Sequence, residues 1–332
     1  MIDVQEKSPG DYYLNWEPVF GERSISVSAS TNPAPDAEKL LSKQAISHAD
    51  FSGLSSGRRH YFHLEDTHGN QRTAATRNIA LGGAVNFRDL GGYEIAGGRY
   101  TKWGAIFRSG HLSKLSRADQ DYLSNLGIRT VCDFRREIEI KNEASLIPGS
   151  PQIHNVEIIP GARDPNHIQQ LFAGTEEPED VVDAMIEIMR TLITEAAPQY
   201  KKLFELLLEH NAGAFLMNCS AGKERTGVAV ALVLMALGAS RDTIRYDFML
   251  SGKYYPIEKE VPRVFEKYDV KLRGDAGRRL VMPLLEARDA YIQVVFDEID
   301  KRHHSDEAFI REVIGLGDGE LRQLRERYGA SA

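Results

Sequence analysis

Ala214-Phe215-Leu216-Met217-Asn218-Cys219-Ser220-Ala221-Gly222-Lys223-Glu224-Arg225-Thr226-Gly227 is the stretch on which the reading of this chain turns. It begins as a short apolar run after Gly213, passes through a polar loop, and continues from Val228 to Leu237 as a segment that is apolar all round. The first part reads as a buried strand and the last as a helix sunk in a core, so the loop joins a strand end to a helix start. Such a loop directs backbone N–H groups and the positive end of the helix dipole at one point, which suits a phosphate dianion. Cys219 opens the loop, and the same field favours a thiolate over a thiol. Arg225 follows six positions later, a spacing that lets guanidinium and thiolate face one phosphate from opposite sides. Its planar fork can donate paired charge-assisted hydrogen bonds to phosphoryl oxygens, which lysine cannot. Ser220, Ala221, Gly222 and Lys223 complete the expected phosphate cradle, and Thr226 can donate its hydroxyl to the departing sulfur.

The loop is not a nucleotide-triphosphate site. That motif needs Ser or Thr directly after Gly-Lys and a further glycine six positions before the lysine; here Glu224 and Met217 hold those places.

Working outward, the chain alternates helices and short apolar strands from Leu81 onward, as an α/β layer requires. Ser116-Arg117-Ala118-Asp119 reads as a capping box that opens a helix with Tyr122, Leu123 and Leu126 inward, ended by Gly127. Thr130 to Phe134 reads as a strand, and amphipathic helices carry Val181 to Leu192 and Tyr200 to Leu208. From Ser240 to the end the pattern is almost wholly helical. Upstream, Tyr12 to Leu81 is short and strand-like, with Ile25, Val27 and Ala29 alternating with serines and turn clusters between. A small β-sandwich over residues 1–81 and a catalytic unit over 82–332 are therefore expected.

Composition narrows the chemistry. At 332 residues with 42% hydrophobic and 27% charged residues, the chain can bury a sizeable core, and no apolar run nears a membrane span. Only Cys132 and Cys219 occur, which is no disulfide framework and leaves a thiol free for chemistry. The net charge of −7 disfavours broad nucleic-acid binding, so any phosphate affinity must be local. The ten histidines are scattered without metal-ligand spacing, so neither a metal nor another cofactor is expected. Met1 to Gly10 is acidic and polar rather than signal-like; cytoplasmic residence is the expectation, with export by a non-classical route left open.

The loop resembles the signature loop of the protein tyrosine phosphatase superfamily. Ala221-Gly222-Lys223 followed by an acid and Arg225 is similar to its atypical microbial branch, of the mycobacterial secreted type. Asn86-Phe87-Arg88-Asp89-Leu90-Gly91-Gly92 resembles that branch's opening motif, followed by Phe107-Arg108-Ser109-Gly110 and Val131-Cys132-Asp133-Phe134-Arg135. The likeness covers about residues 82 to 328. It implies a phosphatase-type sheet flanked by helices, and hydrolysis of phosphate monoesters through a phosphocysteine on Cys219, releasing inorganic phosphate from a phosphoprotein or phosphoinositide. Two positions depart from the branch: Asn218 replaces a histidine that steadies the cysteine backbone, and Glu224 replaces a loop aspartate that serves as proton donor. Glu224 is the first candidate for the general acid. Asp89 is the second, because the family places that motif near the signature loop; its other reading is to orient Arg225 or a loop backbone. Asp133 is expected in a buried ion pair with a neighbouring arginine, and Asp164 before Pro165 is a weaker acid candidate. Lys223 points either at a second phosphate or at solvent. Tyr254, Tyr255, Pro256 and Val261 to Tyr268 form either a lid or simple helix packing.

Residues 53–62 with Trp16 resemble a fibronectin type III module, although His60 rather than Tyr61 holds the corner position. Two rival functions stand beside the phosphatase. A phospho-ligand binding protein that has lost catalysis would bind without turnover. A rhodanese-type sulfur transferase is disfavoured by the Cys219-to-Arg225 spacing and the Phe87-Arg88-Asp89 opening.

Overall fold

In the computed structural model, residues 2–16, 24–34, 38–161, 167–210 and 212–330 are described. Seven strands come first: β1 (Ile2–Ser8), β2 (Asp11–Trp16), β3 (Ile25–Ser30), β4 (Leu41–Ala45), β5 (His48–Phe51), β6 (Tyr61–Glu65) and β7 (Gln71–Ala75). They form two antiparallel sheets, ordered β1-β2-β5 and β4-β3-β6-β7. Period-two alternation sends Leu14 and Trp16 from one sheet and Val27, Phe62 and Leu64 from the other into one shared apolar core.

A mixed five-stranded sheet follows, ordered β13 (Gln152–Asn155), β12 (Ile128–Asp133), β14 (Ala214–Asn218), β11 (Ile106–Ser109) and β8 (Arg88–Asp89). All pairings are parallel except β8 against β11. β14 lies between two parallel neighbours and is buried over its whole length, which explains its unbroken apolar spelling. Its alternate residues serve opposite faces. Phe215 and Met217 join the large helical core, while Ala214 and Leu216 join a smaller cluster with Leu123 and Leu126. Leu123 belongs to α1 (Arg117–Ser124), which opens with the expected reciprocal cap between Ser116 and Asp119. A small sheet of β9 (Glu94–Ile95), β10 (Arg99–Thr101) and β15 (Gly329–Ala330) ties the last described residues back to the domain.

Helices α2 (Glu137–Asn142), α3 (His167–Gly174), α4 (Pro178–Glu195) and α5 (Ala197–Glu209) lead to β14. After it come α6 (Glu224–Leu237), α7 (Arg241–Tyr254), α8 (Ile257–Lys267), α9 (Gly274–Leu285), α10 (Asp289–His303), α11 (Asp306–Phe309) and α12 (Asp318–Tyr328). From Arg225 to Leu237 every residue of α6 is buried, so its apolar circumference is the centre of the core rather than a membrane segment. Among the described residues, no helix is long and apolar enough to cross a membrane.

Candidate active site

The chain leaves β14 at Asn218, turns through residues 219–223 and enters α6 at Glu224. Gly222 is what lets the loop close. Its φ is +67°, and a Cβ there would stand 2.5 Å from the Gly110 nitrogen and the Ser109 carbonyl carbon. Only glycine satisfies both the left-handed backbone and that approach. Its N–H points to the Cys219 Sγ at 3.2 Å, and its carbonyl accepts from Asn86 Nδ2 at 2.9 Å and Arg108 Nη2 at 2.6 Å. The two peptides that meet at the Gly222 Cα are thus fixed together, the one before it turning its N–H to the sulfur and the one after it held through its carbonyl by Asn86 and Arg108.

Cys219 is almost wholly enclosed, as are Ser220, Lys223, Arg225 and Thr226, while Ala221 and Glu224 are half-buried. Arg225 makes a bidentate pair with Glu139 on α2, Nη1 to Oε2 at 2.8 Å and Nη2 to Oε1 at 3.1 Å. Nη1 also reaches the Phe134 carbonyl at 3.2 Å. Ser220 donates its hydroxyl to Glu139 Oε1 at 2.6 Å, so one carboxylate braces both clamp and loop. Burial alone would push the Glu139 carboxyl up, but the Arg225 guanidinium, Lys267 and the Ser220 hydrogen bond hold it far below the usual range. The Thr226 hydroxyl and the Tyr200 hydroxyl from α5 are buried with no hydrogen-bond partner. Burial raises the Tyr200 phenol, the Cys219 charge adds to that, and Arg225 opposes it, which places this donor within the field of the loop. Most buried donors in folded proteins have a partner, so these two hydroxyls beside the loop are available to a bound group.

Residues 79–330 match the model of the tyrosine phosphatase family. The chain belongs to the tyrosine phosphatase family. Among its relatives, a Cupriavidus necator protein with a provisional tyrosine-protein phosphatase name is 28% identical over 258 residues, covering 76% of this chain and 88% of the relative. A tyrosine-protein phosphatase of Nostoc commune is 23% identical, covering 68% of this chain and 74% of its own. The triple specificity protein phosphatase PtpB of Mycobacterium tuberculosis is 27% identical, covering 74% and 96%. This chain is accordingly an enzyme of the tyrosine-protein phosphatase family, a hydrolase whose substrates are phosphorylated.

Within this family frame, several residues stand where the sequence did not put them. Asp89 is fully buried on the sheet face opposite Arg88. Its carboxylate accepts from Arg59 Nη2 at 2.9 Å, the Gly104 N–H at 2.8 Å and the Gly91 N–H at 2.8 Å. It orients neither Arg225 nor the loop backbone but joins the β8 strand to residues 1–81; period-two alternation turned it away from the loop. Burial pushes its carboxyl up, partly offset by Arg59 and the two amides. Lys223 faces neither a second phosphate site nor solvent: its ammonium lies on the carbonyls at the end of α9. Glu224 sits in the first turn of α6, with Oε1 3.4 Å from the Lys223 Nζ. Asp133 does pair with a neighbouring arginine, Arg135. Asp164 lies outside the described residues. Asn218, in place of the branch's histidine, is fully buried, and neither amide atom has a partner.

Glu139 and Arg108 were missed by sequence reasoning. Glu139 lies in Glu137-Ile138-Glu139-Ile140, which spells an ordinary exposed turn of helix, and nothing local announces an ion pair with a residue 86 positions on. Arg108 was visible in its motif, yet its task is remote: fully buried, it reaches back to the Gly222 carbonyl and to Asp247 on α7, which also accepts from Tyr93. Among the described residues, no group of three or more His, Cys, Asp or Glu is placed to hold a metal ion.

Proposed function

We propose that this enzyme hydrolyses phosphate monoesters by double displacement at Cys219. The Cys219 sulfur attacks phosphorus, the P–O bond to the leaving group breaks, and Glu224 gives that oxygen its proton. Water then attacks the phosphocysteine, the S–P bond breaks, inorganic phosphate departs, and Glu224 regains a proton. Arg225, held edge-on by Glu139, and the loop amides take up the charge that shifts to the equatorial oxygens, while Thr226 donates to the departing sulfur. Phosphotyrosine is the leading substrate; the triple specificity of the mycobacterial relative supports adding phosphoserine, phosphothreonine or a phosphoinositide. The observation that carries the reading is the Gly222 N–H directed at Cys219 Sγ inside a family-matched loop.

Residues 1–81 are assigned as a fibronectin type III-like sandwich docked on the catalytic unit 82–332, a reading supported by two antiparallel sheets around Trp16. The segment Val261 to Tyr268 is assigned as a cover over the loop, supported by Lys267 Nζ lying 3.6 Å from Glu139 Oε1.

The unpartnered amide of Asn218 favours one rival, a binding protein with impaired catalysis. An aryl phosphate assay without added metal separates the two. Turnover by the wild type that Cys219→Ser abolishes is the expected result, with phosphate found on Cys219 after acid quench. Phosphate-ester binding without turnover would leave the binding reading standing.

A further inference from the structure

The last turn of a helix presents carbonyls with no partner inside the helix. At the end of α9 three of these converge on one point: the carbonyls of Leu284, Leu285 and Glu286 accept from Lys223 Nζ at 2.7, 2.7 and 3.3 Å. An ammonium has three N–H donors and no acceptor, and this one directs them at the three carbonyls, with Glu224 Oε1 a further neighbour at 3.4 Å. Lys223 is 1% exposed, its charge lies at the end of α9 where the helix dipole favours a cation, and Tyr255 covers it from 4.9 Å. The α9 end is itself fixed, with Leu280, Val281 and Leu285 buried in the main core and the Pro283 carbonyl accepting from Tyr291. α8 is fastened nearby through Arg263 to Glu143 and Lys267 to Glu139.

We propose that Lys223 is a positioning residue that latches α9 to the phosphate loop, and that this site consequently reads a single phosphate group. A substrate's second phosphate would have to strip three hydrogen bonds from the lysine and leave three helix-end carbonyls without their cation, that of the buried Leu285 among them, a loss that charge attraction to one more phosphate does not recover. Discrimination among monoesters then falls to whatever α8 and α9 present to the leaving group.

The kinetic half of this proposal rests on the phosphatase reading; the structural half does not. In the full-length protein, Lys223→Met keeps the stem and removes the donors. Amide hydrogen exchange over residues 280–288 should quicken about tenfold or more, since charge-assisted hydrogen bonds that restrain local opening are gone. Specificity constants for short-chain phosphatidylinositol 3-phosphate and phosphatidylinositol 3,5-bisphosphate should fall together, leaving their ratio as in the wild type. A selective loss of the bisphosphate, whatever the exchange result, or unchanged exchange at 280–288, would overturn the latch. Should the variant fail to fold, amine acylation of the wild type decides: Lys223 should react later than exposed lysines whether or not inorganic phosphate is present. Rapid labelling that phosphate suppresses would make Lys223 a substrate reader. Absence of any Cys219-dependent turnover in the wild type would sink the phosphatase reading while leaving the exchange and labelling results to judge the latch.

Discussion

Two buried arginine–carboxylate pairs flank the catalytic sheet, and their difference separates chemistry from architecture. Arg225 pairs with Glu139, Arg59 pairs with Asp89, and all four side chains are more than nine-tenths buried. Both carboxylates are saturated with donors. Glu139 takes Arg225, Ser220 and the Arg136 amide; Asp89 takes Arg59, Gly91 and Gly104. The surroundings set them apart. Arg225 stands in the first turn of α6, next to a loop whose Gly222 amide is directed at the Cys219 sulfur and beside the buried, unpartnered Thr226 hydroxyl. Arg59 lies between Tyr61 and Phe107 near the seam at Trp103, and donates to the Thr76 carbonyl as well as to Asp89. The bidentate Arg225–Glu139 pair thus sits where the proposed mechanism needs a phosphate clamp, while the Arg59–Asp89 pair, joined by one hydrogen bond, rivets residues 1–81 to β8.

The largest test of this contrast is Arg225→Lys, which keeps the charge and loses the fork. Because the lost bonds matter most as charge moves onto the equatorial oxygens, kcat should fall about 10²- to 10³-fold, with KM changing less. A change confined to KM would make Arg225 a ground-state binder. Next comes Glu139→Gln, which removes the brace and leaves the clamp in place. Loss of one buried charge partner should cost about 3–5 kcal/mol of stability, while Arg225 keeps its fork, so kcat should drop less than in Arg225→Lys. Glu139 also carries a pH signature. Its folded carboxyl titrates far below its unfolded value, so its contribution is fully present above the unfolded value and drains away as pH falls toward the folded one. Urea unfolding of the wild type should therefore lose stability below about pH 5 more steeply than the variant does.

Glu224→Gln probes the proton rather than the clamp. Turnover of a basic alkyl phosphate should fall about 10²-fold or more, and that of an activated aryl phosphate far less, because an acidic phenol leaves without help. Equal losses on both substrates would move Glu224 from proton donor to loop scaffold.

Much of the loop was legible because its constraints are local. A strand, a cysteine, a left-handed glycine and an arginine at the mouth of a helix are spelled within 14 consecutive residues, Ala214 to Gly227. Unbroken apolar runs likewise revealed β14 and α6, and apolar–polar alternation the strand-rich beginning of the chain. What sequence could not give was the partner of each charge. Asp89 and Arg88 are neighbours in sequence yet lie on opposite faces of β8, so proximity to a motif said nothing about which one approaches the loop. Glu139 reaches Arg225, and Lys223 reaches Leu284 and Leu285, across folds of the chain that no local pattern encodes.

The smallest effect on activity is expected at the seam. Arg59→Met leaves the Asp89 carboxylate buried without its charge partner, a change that should cost about 3–5 kcal/mol at neutral pH. Burial already raises the Asp89 carboxyl, and removing the guanidinium raises it further, so the folded variant takes up a proton more readily than the unfolded chain. For a group raised in this way the folded state is favoured below the unfolded value and loses ground as pH rises through the folded one. The deficit of Arg59→Met relative to wild type should accordingly shrink as pH is lowered from 7 toward the unfolded carboxylate range near 4. Adding Asp89→Asn should recover much of the loss, since the pair then disappears together and the coupling between the two positions can be read from the cycle. Throughout, at a temperature where each variant is folded, kcat on an aryl phosphate should stay within a few-fold of wild type. If Asp89→Asn instead lowers kcat as far as Glu139→Gln does, and does so most on basic leaving groups, Asp89 is the proton donor and the rivet is part of the machinery.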